Sequence, residues 1–205
     1  MLYDKLYRES SEHILWGQQP GRLVARIKEY MPSGKVLDMG CGDGKNSFFL
    51  EQEGFSVVGV DRSACAMDGL QNRFRRAGRT PQGVYFVGDI ESDTEITKES
   101  EAYDALISYG IFHCLNPSTR IETQRRYQSL VKPEGLLIFT CLTDVIEMPL
   151  NHGTDSITLV NEQEIDAVFS GWERTYEERG IIVEDHLPVI GEHQHSAVWI
   201  IAQRK

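Results

Sequence analysis

Short apolar runs alternate with amphipathic stretches along most of the chain. Apolar residues recur at helical intervals between the runs, as over residues 64–77. Strands separated by helices require crossover connections, which favour a largely parallel sheet with helices on both faces. The sequence therefore predicts a doubly wound α/β fold. The predicted strands are KVLDM at 35–39, SVVGV at 56–60, VYFV at 84–87, YDALISY at 103–109, GLLIFTC at 135–141 and AVWIIA at 197–202.

Several helices are predicted from their spacing and end signals. Residues from Leu23 to Met31 place apolar side chains on one helical face before the first strand. Lys45 to Glu53 predicts a helix that Gly54 stops. Asn116, as a cap, and Pro117, as first helical residue, predict the start of another.

The last third of the chain is less regular. The Asn161-x-x-Glu164 capping signature predicts a helix with Ile165, Val168, Phe169 and Trp172 on one face. Residues 142–160 show little periodicity, and 179–195 fit either a strand at Ile181 to Val183 or a long loop. Because long loops at a sheet edge are often functional, both stretches are candidate substrate walls.

Composition narrows the class of protein. The 205 residues fit one domain, 1–205, and the net charge of −10 opposes binding to nucleic acid. No apolar run approaches the roughly 20 residues that cross a bilayer, and the first residues lack a secretory apolar block. Four scattered cysteines without a CxxC pair predict free thiols, so we expect a cytoplasmic protein. Its oligomeric state is left open.

The segment Asp38-Met39-Gly40-Cys41-Gly42-Asp43-Gly44 lies between a predicted strand and a predicted helix. Glycines there permit a tight turn and a close approach of a ligand to the backbone. The dinucleotide fingerprint would need glycine at Lys45, which argues against an NAD-dependent oxidoreductase. An upstream carboxylate and the absence of GKS or GKT favour a cationic ligand without phosphate.

Two further acids follow neighbouring strands. Asp61 lies 21 residues after Gly40, at the position from which an acid accepts hydrogen bonds from ribose hydroxyls. Asp89 follows the third strand. The carboxyl ends of parallel strands share one edge of a sheet, so these acids should meet the glycine loop in one crevice.

The motifs VLDMGCGDG, VVGVD, VGDIE, YDALIS and KPEGLLIF resemble those of class I S-adenosylmethionine-dependent methyltransferases over residues 35–141. The resemblance implies a Rossmann-like, seven-stranded sheet whose final strand is antiparallel. We expect the single domain to consist of a helical cap segment at 1–34, a cofactor-binding core at 35–141, and a substrate-side insertion with C-terminal strands at 142–205. The resemblance also implies that the glycines line the methionine portion, Asp61 the ribose, Asp89 and Ile90 the adenine, and Ser108 the floor near the sulfonium. The whole predicted cofactor set is Trp16, Asp38, Gly40, Cys41, Gly42, Gly44, Asn46, Asp61, Arg62, Asp89, Ile90 and Ser108.

A narrower resemblance rests on WGQQP, GKNSFFL, FSGWE and GEHQHSAVWIIAQRK, which are similar to the tellurite-resistance (TehB-like) methyltransferases. The implied function is methylation of a small-molecule acceptor: a thiol, amine, acid or metalloid. The alternative is a non-catalytic module that binds the same cofactor as a regulatory or partner subunit.

Three histidines are candidates for proton transfer. If the last strand is antiparallel, its start at Ser196 lies on the same rim as the glycine loop, and His193 and His195 point towards the methyl group. His113 would reach the crevice from the other side. Each of the three could instead be a polar loop residue or a cap. A metal site made by the three is the weaker interpretation, because no Asp or Glu groups with them.

Other conspicuous residues have simpler interpretations. Arg73, Arg75, Arg76 and Arg79 are interpreted as a solvated helix face. Cys41 is read as a small residue that fills space in the loop. Trp16 either closes over the cofactor or anchors the N-terminal segment, and the sequence does not distinguish the two.

Overall fold

The computed structural model describes residues 2–92, 96, 101–148, 157–186 and 190–205. Short 3₁₀ helices occupy Ser11–His13, Val24–Glu29 and Phe112–Cys114. The α-helices are α1 (Leu2–Glu9), α2 (Lys45–Gln52), α3 (Ala64–Arg76), α4 (Arg120–Gln128) and α5 (Glu162–Val168). The strands are β1 (Lys35–Met39), β2 (Ser56–Asp61), β3 (Val84–Val87), β4 (Tyr103–Tyr109), β5 (Val131–Thr143), β6 (Trp172–His186) and β7 (Ile190–Arg204).

All seven strands form one sheet in the order β3-β2-β1-β4-β5-β7-β6. Strands β1 to β5 are parallel to one another, and β7 is antiparallel to both β5 and β6. This confirms the predicted mostly parallel sheet with an antiparallel final strand. Strand order reverses between β1 and β4, which is the place where doubly wound sheets open a crevice for ligands.

The sheet separates two apolar layers. One face of β1, β4 and β5 packs with Tyr127 of α4 and Ile165 of α5, and this is called the α4 face. The other packs with Leu50 of α2 and with Val24 and Ile27 of the 3₁₀ helix Val24–Glu29, and this is called the α2 face. Helices therefore cover both faces, as the strand and helix alternation predicts.

The two C-terminal strands are longer than the apolar runs indicate. The pairing of β5 with β7 ends at Thr143 opposite Ser196, while β6 and β7 stay paired beyond it, with Ile182 opposite His195. Residues 179–186 and 190–195 therefore form strand, and the long-loop alternative is wrong for them. The hairpin projects past the carboxyl end of β5.

Three helix predictions need correction. Leu23 to Met31 forms only a 3₁₀ helix over Val24–Glu29. The turn at Asn116 precedes the helix, which begins at Arg120 with Thr119 as its N-cap. Trp172 belongs to β6, because the helix after the Asn161 capping box ends at Val168 and Gly171 turns the chain at φ +84°. The capping box itself is confirmed.

Across the described stretches of the chain, no helix has the length and apolar character that a membrane span needs.

Candidate active site

The loop between β1 and α2 is built around three glycines in the left-handed region. Gly40, Gly42 and Gly44 have φ of +71°, +54° and +77°. A Cβ on Gly42 would lie 2.5 Å from the hydroxyl oxygen of Tyr7, and one on Gly44 would lie 2.7 Å from Leu70. Both conformation and space therefore require glycine, and the side chains of Tyr7 and Leu70 pack directly against the loop backbone.

Asp61, the last residue of β2, holds this loop from the neighbouring strand. One carboxylate oxygen accepts the backbone N–H of Gly42 at 3.0 Å, and the other accepts that of Ser63 at 2.9 Å. Burial raises the pKa of Asp61, while the two N–H donors oppose that rise. A carboxylate can accept about four hydrogen bonds, so Asp61 can still accept ligand hydroxyls.

Asp38, near the end of β1, supports the glycine loop through a contact with α2. Its carboxylate is buried on the α2 face and accepts a hydrogen bond from Ser47 Oγ of α2 at 2.6 Å. Burial, together with the nearby charge of Asp61, raises the pKa of Asp38 to about 6, although the hydrogen bond from Ser47 opposes the rise. Asp38 therefore ties β1 to the start of α2 and adds a second acid to the neighbourhood of the loop.

Asp43 was not among the predicted site residues, although it lies inside the glycine loop. Its carboxylate accepts the N–H groups of Leu15 at 2.6 Å and Trp16 at 2.9 Å. Arg73 of α3 donates to the same carboxylate at 2.9 Å and to the backbone carbonyl of Asp43 at 2.9 Å. The interpretation of Arg73 as a solvated residue is therefore wrong, because its side chain and that of Asp43 are both buried. No spacing rule in the sequence links residues 30 positions apart.

The N-terminal residues lie against the glycine loop. Trp16 Nε1 donates to the hydroxyl of Tyr7 at 2.6 Å, and Asn46 Oδ1 of α2 accepts the N–H of Gly21 at 2.8 Å. The Trp16–Tyr7 bond lies within the N-terminal residues, whereas Asn46 ties Gly21 to the start of α2. Contact of either one with a cofactor stays a prediction.

The remaining predicted cofactor residues differ in their surroundings. Asp89 is exposed and accepts the N–H of Glu91 at 3.0 Å, whereas Ile90 beside it is buried. Arg62 is exposed at the rim after Asp61. Cys41 is buried, and burial raises the pKa of its thiol well above the usual value, which suits a space-filling residue.

Ser108 turns away from the loop residues. Its hydroxyl is fully buried and donates to Gln124 Oε1 of α4 at 2.8 Å, on the α4 face of the sheet. The prediction that Ser108 forms the floor near the reacting atoms therefore depends on its backbone at the end of β4.

His113 is buried between three elements. Its Nδ1 accepts the backbone N–H of Leu142 at 3.1 Å, and its carbonyl accepts the N–H of Thr158 at 2.8 Å. Because a backbone N–H can only donate, Nδ1 carries no proton in this arrangement. His113 therefore joins the 3₁₀ helix at 112–114 to β5 and to Thr158. Thr158 belongs to the predicted substrate wall at 142–160, of which residues 149–156 lie outside the described residues.

His193 and His195 lie on the part of β7 that extends past β5. Their rings meet at 4.7 Å between centroids and at nearly a right angle, and His195 is 1% exposed. His195 lies on the same face of β7 as Ala197 and Trp199, which pack on the α2 face. The two histidines are thus at the carboxyl rim, as predicted, on the side of the sheet from which the N-terminal segment approaches.

Within the described residues, no group of three His, Cys, Asp or Glu side chains could hold a metal ion. The weaker interpretation of the three histidines as a metal site gains no support from this part of the chain.

The sheet order and the glycine loop define a class I methyltransferase fold. A family described as "Methyltransferase domain" matches residues 36–135, which hold the loop, Asp61 and Asp89. These residues therefore form a methyltransferase domain, and the resemblance predicted from the motifs is confirmed.

Individual proteins similar to the chain are methyltransferases. "Thiocyanate methyltransferase 1" of Brassica oleracea is 28% identical over 108 residues, which are 53% of this chain and 46% of that protein. The chain spans about half the length of the curated relatives it matches.

Solved structures show the same fold. TehB from Haemophilus influenzae has a TM-score of 0.75 at 19% identity, covering 90% of this chain and 62% of that one. The 1,6-didemethyltoxoflavin-N1-methyltransferase of Burkholderia thailandensis, crystallised with 1,6-didemethyltoxoflavin and S-adenosylhomocysteine, has a TM-score of 0.64 at 17% identity and covers 90% of this chain and 77% of that one. At these identities the likeness is one of fold.

Proposed function

We propose that the chain is an S-adenosylmethionine-dependent methyltransferase that acts on a small-molecule acceptor. The observation that carries the proposal is the carboxylate of Asp61 bonded to the N–H of Gly42 at 3.0 Å, in a loop of three left-handed glycines. This arrangement places a glycine backbone and a partly buried acid at the carboxyl rim, beside the switch point of the sheet.

The residues present fit this cofactor. Gly40, Gly42 and Gly44 carry no side chain of their own, and Ile111, Tyr7 and Leu70 occupy the space beside them. Asp61 has acceptor capacity left for ribose hydroxyls. Burial raises the pKa of both Asp38 and Asp61, because desolvation destabilises their charged forms. A cation that binds nearby would stabilise these charged forms. A pyrophosphate at the same place would be repelled by these acids.

The bound cofactor supplies an electrophilic methyl group on a sulfonium. The chain's own residues must bind and orient both reactants and exclude water, since in-line displacement needs little covalent help from side chains. A thiol, amine or reduced metalloid needs only placement. For an acceptor that must lose a proton, His195 at the rim, beside His193, is the proposed group to take it.

The nature of the acceptor is supported by similarity alone. The relatives named for thiocyanate and thiol methylation are 28% identical to this chain, and the matched structures include the toxoflavin enzyme and TehB. These names favour a small nucleophile, and a soft sulfur or metalloid nucleophile is the first class to assay. A role in tellurite resistance belongs to this same proposal.

Cofactor binding is tested by calorimetry of the whole chain with S-adenosylhomocysteine. We expect saturable binding in one-to-one ratio and a rise in melting temperature, because a ligand that binds only the folded state stabilises it. NADH, followed by fluorescence, is the matched control ligand and should not bind. No heat and no thermal shift with S-adenosylhomocysteine would refute the proposal.

Catalysis is tested separately from binding. The chain is incubated with labelled S-adenosylmethionine and a panel of small thiols, thiocyanate, amines, carboxylic acids, tellurite and selenite, and transferred methyl is counted. Transfer to any of them supports an enzyme. Cofactor binding without transfer to any member, together with a co-purifying protein partner, would favour the alternative of a regulatory subunit.

We also propose that the protein works in the cytoplasm. All four cysteines, Cys41, Cys65, Cys114 and Cys141, are free thiols, which fits a reducing compartment.

A further inference from the structure

The N-terminal segment, residues 2–18, lies across the carboxyl ends of three adjacent strands. Asp4 accepts a hydrogen bond from Ser63 Oγ, beyond the end of β2, at 2.8 Å. The hydroxyl of Tyr3 accepts from Cys114 Sγ, beyond the end of β4, at 3.9 Å. Tyr7 lies between these anchors, against Gly42 of the loop that follows β1. The segment thus covers the crevice in which we place the cofactor.

The aromatic residues of the segment contact the loop directly. Tyr7 is 4% exposed, and its hydroxyl lies 2.5 Å from the position that a Cβ of Gly42 would occupy. This hydroxyl accepts from Trp16 Nε1, so its own proton is left to donate. The ring of Trp16 comes within 3.5 Å of the same Cβ position. Any ligand over Gly42 must therefore meet both side chains.

One buried ion pair fixes where these aromatic residues stand. Asp43 accepts the consecutive N–H groups of Leu15 and Trp16 on one carboxylate oxygen, and its other oxygen accepts from Arg73. Arg73 also holds the carbonyl of Asp43, and its remaining amino group reaches Gln18 Oε1 at 3.4 Å. A single pair of side chains, Asp43 and Arg73, therefore joins the glycine loop, α3 and the N-terminal segment.

The pair is poorly suited to a role in stability alone. Its side chains are 2% and 0% exposed, and the desolvation cost of two buried charges roughly cancels their attraction. What such a pair supplies is a fixed geometry, because either charge left alone is strongly unfavourable. Exposed contacts between α3 and the segment, such as Arg76 with Glu12, impose no comparable constraint.

We propose that Asp43 and Arg73 are positioning residues that lock the N-terminal segment onto the glycine loop, so that cofactor binding and closure of this segment are coupled. The inference rests on the proposed function. It assigns to Asp43 a role in setting Tyr7 and Trp16 over Gly42, and it makes the segment part of the cofactor site.

The wild-type chain gives the first test, by hydrogen exchange with and without saturating S-adenosylhomocysteine. Amides of residues 2–18 should be slowed at least fivefold by the ligand, together with those of 40–46. Tryptic cleavage after Lys5 and Arg8 should slow in parallel. Ligand binding that protects 40–46 and leaves residues 2–18 unchanged would overturn the coupling.

Variants give the second test. Asp43→Asn and Arg73→Gln should weaken binding of S-adenosylhomocysteine at least tenfold and speed exchange in residues 2–18, measured well below each melting temperature. Arg73→Lys keeps the positive charge but loses the planar guanidinium group with its several donors. Its affinity and exchange rates should lie between those of these variants and wild type. Arg75→Gln is the matched control, because Arg75 is an exposed arginine of the same helix that bonds only Asn72 among the described side chains.

The outcomes separate the two proposals. A wild-type chain that fails to bind S-adenosylhomocysteine refutes the proposed function and this inference with it. A wild-type chain that binds, with folded variants of unchanged affinity and unchanged exchange in residues 2–18, refutes the inference alone. If the variants do not fold, the exchange experiment on the wild type decides.

Discussion

The carboxylate of Asp61 accepts the backbone N–H of Gly42 at 3.0 Å, across the gap between β2 and the loop after β1. The bond couples a loop conformation that only glycine adopts easily to an acid whose pKa is raised by burial. Loss of either partner should therefore affect the other, and the two residues offer separate tests of the site.

Asp61→Ala should weaken binding of S-adenosylhomocysteine by about 1–3 kcal/mol, because charge-assisted hydrogen bonds to the ligand and to Gly42 are lost. Calorimetry measures the change. Asp68→Ala is the control, since Asp68 is an exposed carboxylate of α3 and should leave the affinity unchanged. Equal affinity in wild type and Asp61→Ala would contradict the assignment of Asp61.

Gly42→Ala should cost more stability and more cofactor affinity than Gly54→Ala. Both glycines have positive φ, +54° and +90°, so each alanine introduces about 1–2 kcal/mol of backbone strain. Only at Gly42 would the new Cβ also collide with the hydroxyl of Tyr7, whereas nothing lies within 4 Å at Gly54. Urea unfolding and calorimetry of both variants check this, and equal losses would argue against close packing of Tyr7 on the loop.

The sequence predicts the parallel half of the sheet well. Four of the first five strands are apolar runs of 4–7 residues ended by glycine or a polar residue, and their predicted bounds agree with the structure within one residue. The last two strands are less predictable, because residues 172–186 lie on an edge strand, are mostly charged or polar, and lack the alternation of apolar and polar residues that indicates a strand. Pairing with β7 makes them strand, and that pairing is set by tertiary structure.

Site residues can be predicted where the residues that bind the ligand follow consecutive strands of the sequence. Glycines and acids that follow consecutive strands must meet at one rim, so the loop and Asp61 can be found from spacing. Contacts between segments that are distant in sequence cannot be found in this way. Arg73 looks like its neighbours Arg75 and Arg76 in the sequence, and only the fold shows that it points inward to Asp43.

Asp38→Asn should change how stability depends on pH. The folded-state pKa of Asp38 is raised from 3.8 to about 6, so the folded protein holds this proton more tightly than the unfolded chain. The contribution of Asp38 is therefore most favourable below pH 4 and is lost as pH rises from about 4 to 6, by on the order of 3 kcal/mol.

Urea unfolding of wild type and Asp38→Asn between pH 4.5 and 7.5 measures this difference. The variant should gain stability relative to wild type as pH rises to about 6 and keep that gain above it. Because the pKa of Asp61 is raised in both proteins, its contribution is shared and largely cancels in the difference. A difference that does not vary with pH would mean that burial does not perturb Asp38.

His195→Gln should lower kcat for an acceptor that must lose a proton, by roughly 10²-fold or more, and leave the affinity for S-adenosylhomocysteine unchanged. His113→Ala should act mainly on stability, costing about 1–3 kcal/mol, since the buried N–H of Leu142 loses its acceptor. Steady-state kinetics and urea unfolding of both variants separate the two roles. A normal kcat for His195→Gln would remove this histidine from proton transfer.

The position of β7 between β5 and β6 bears on how the chain reaches its native state. The two C-terminal strands are separated by only residues 187–189, whereas β5 and β7 partners lie more than 50 positions apart, as for Thr143 and Ser196. Closing a short connection loses far less chain entropy than closing a long one, so the terminal hairpin can assemble by itself in microseconds and dock as a unit. Substitutions within the β6–β7 pairing should then slow refolding differently from those at the β5–β7 seam.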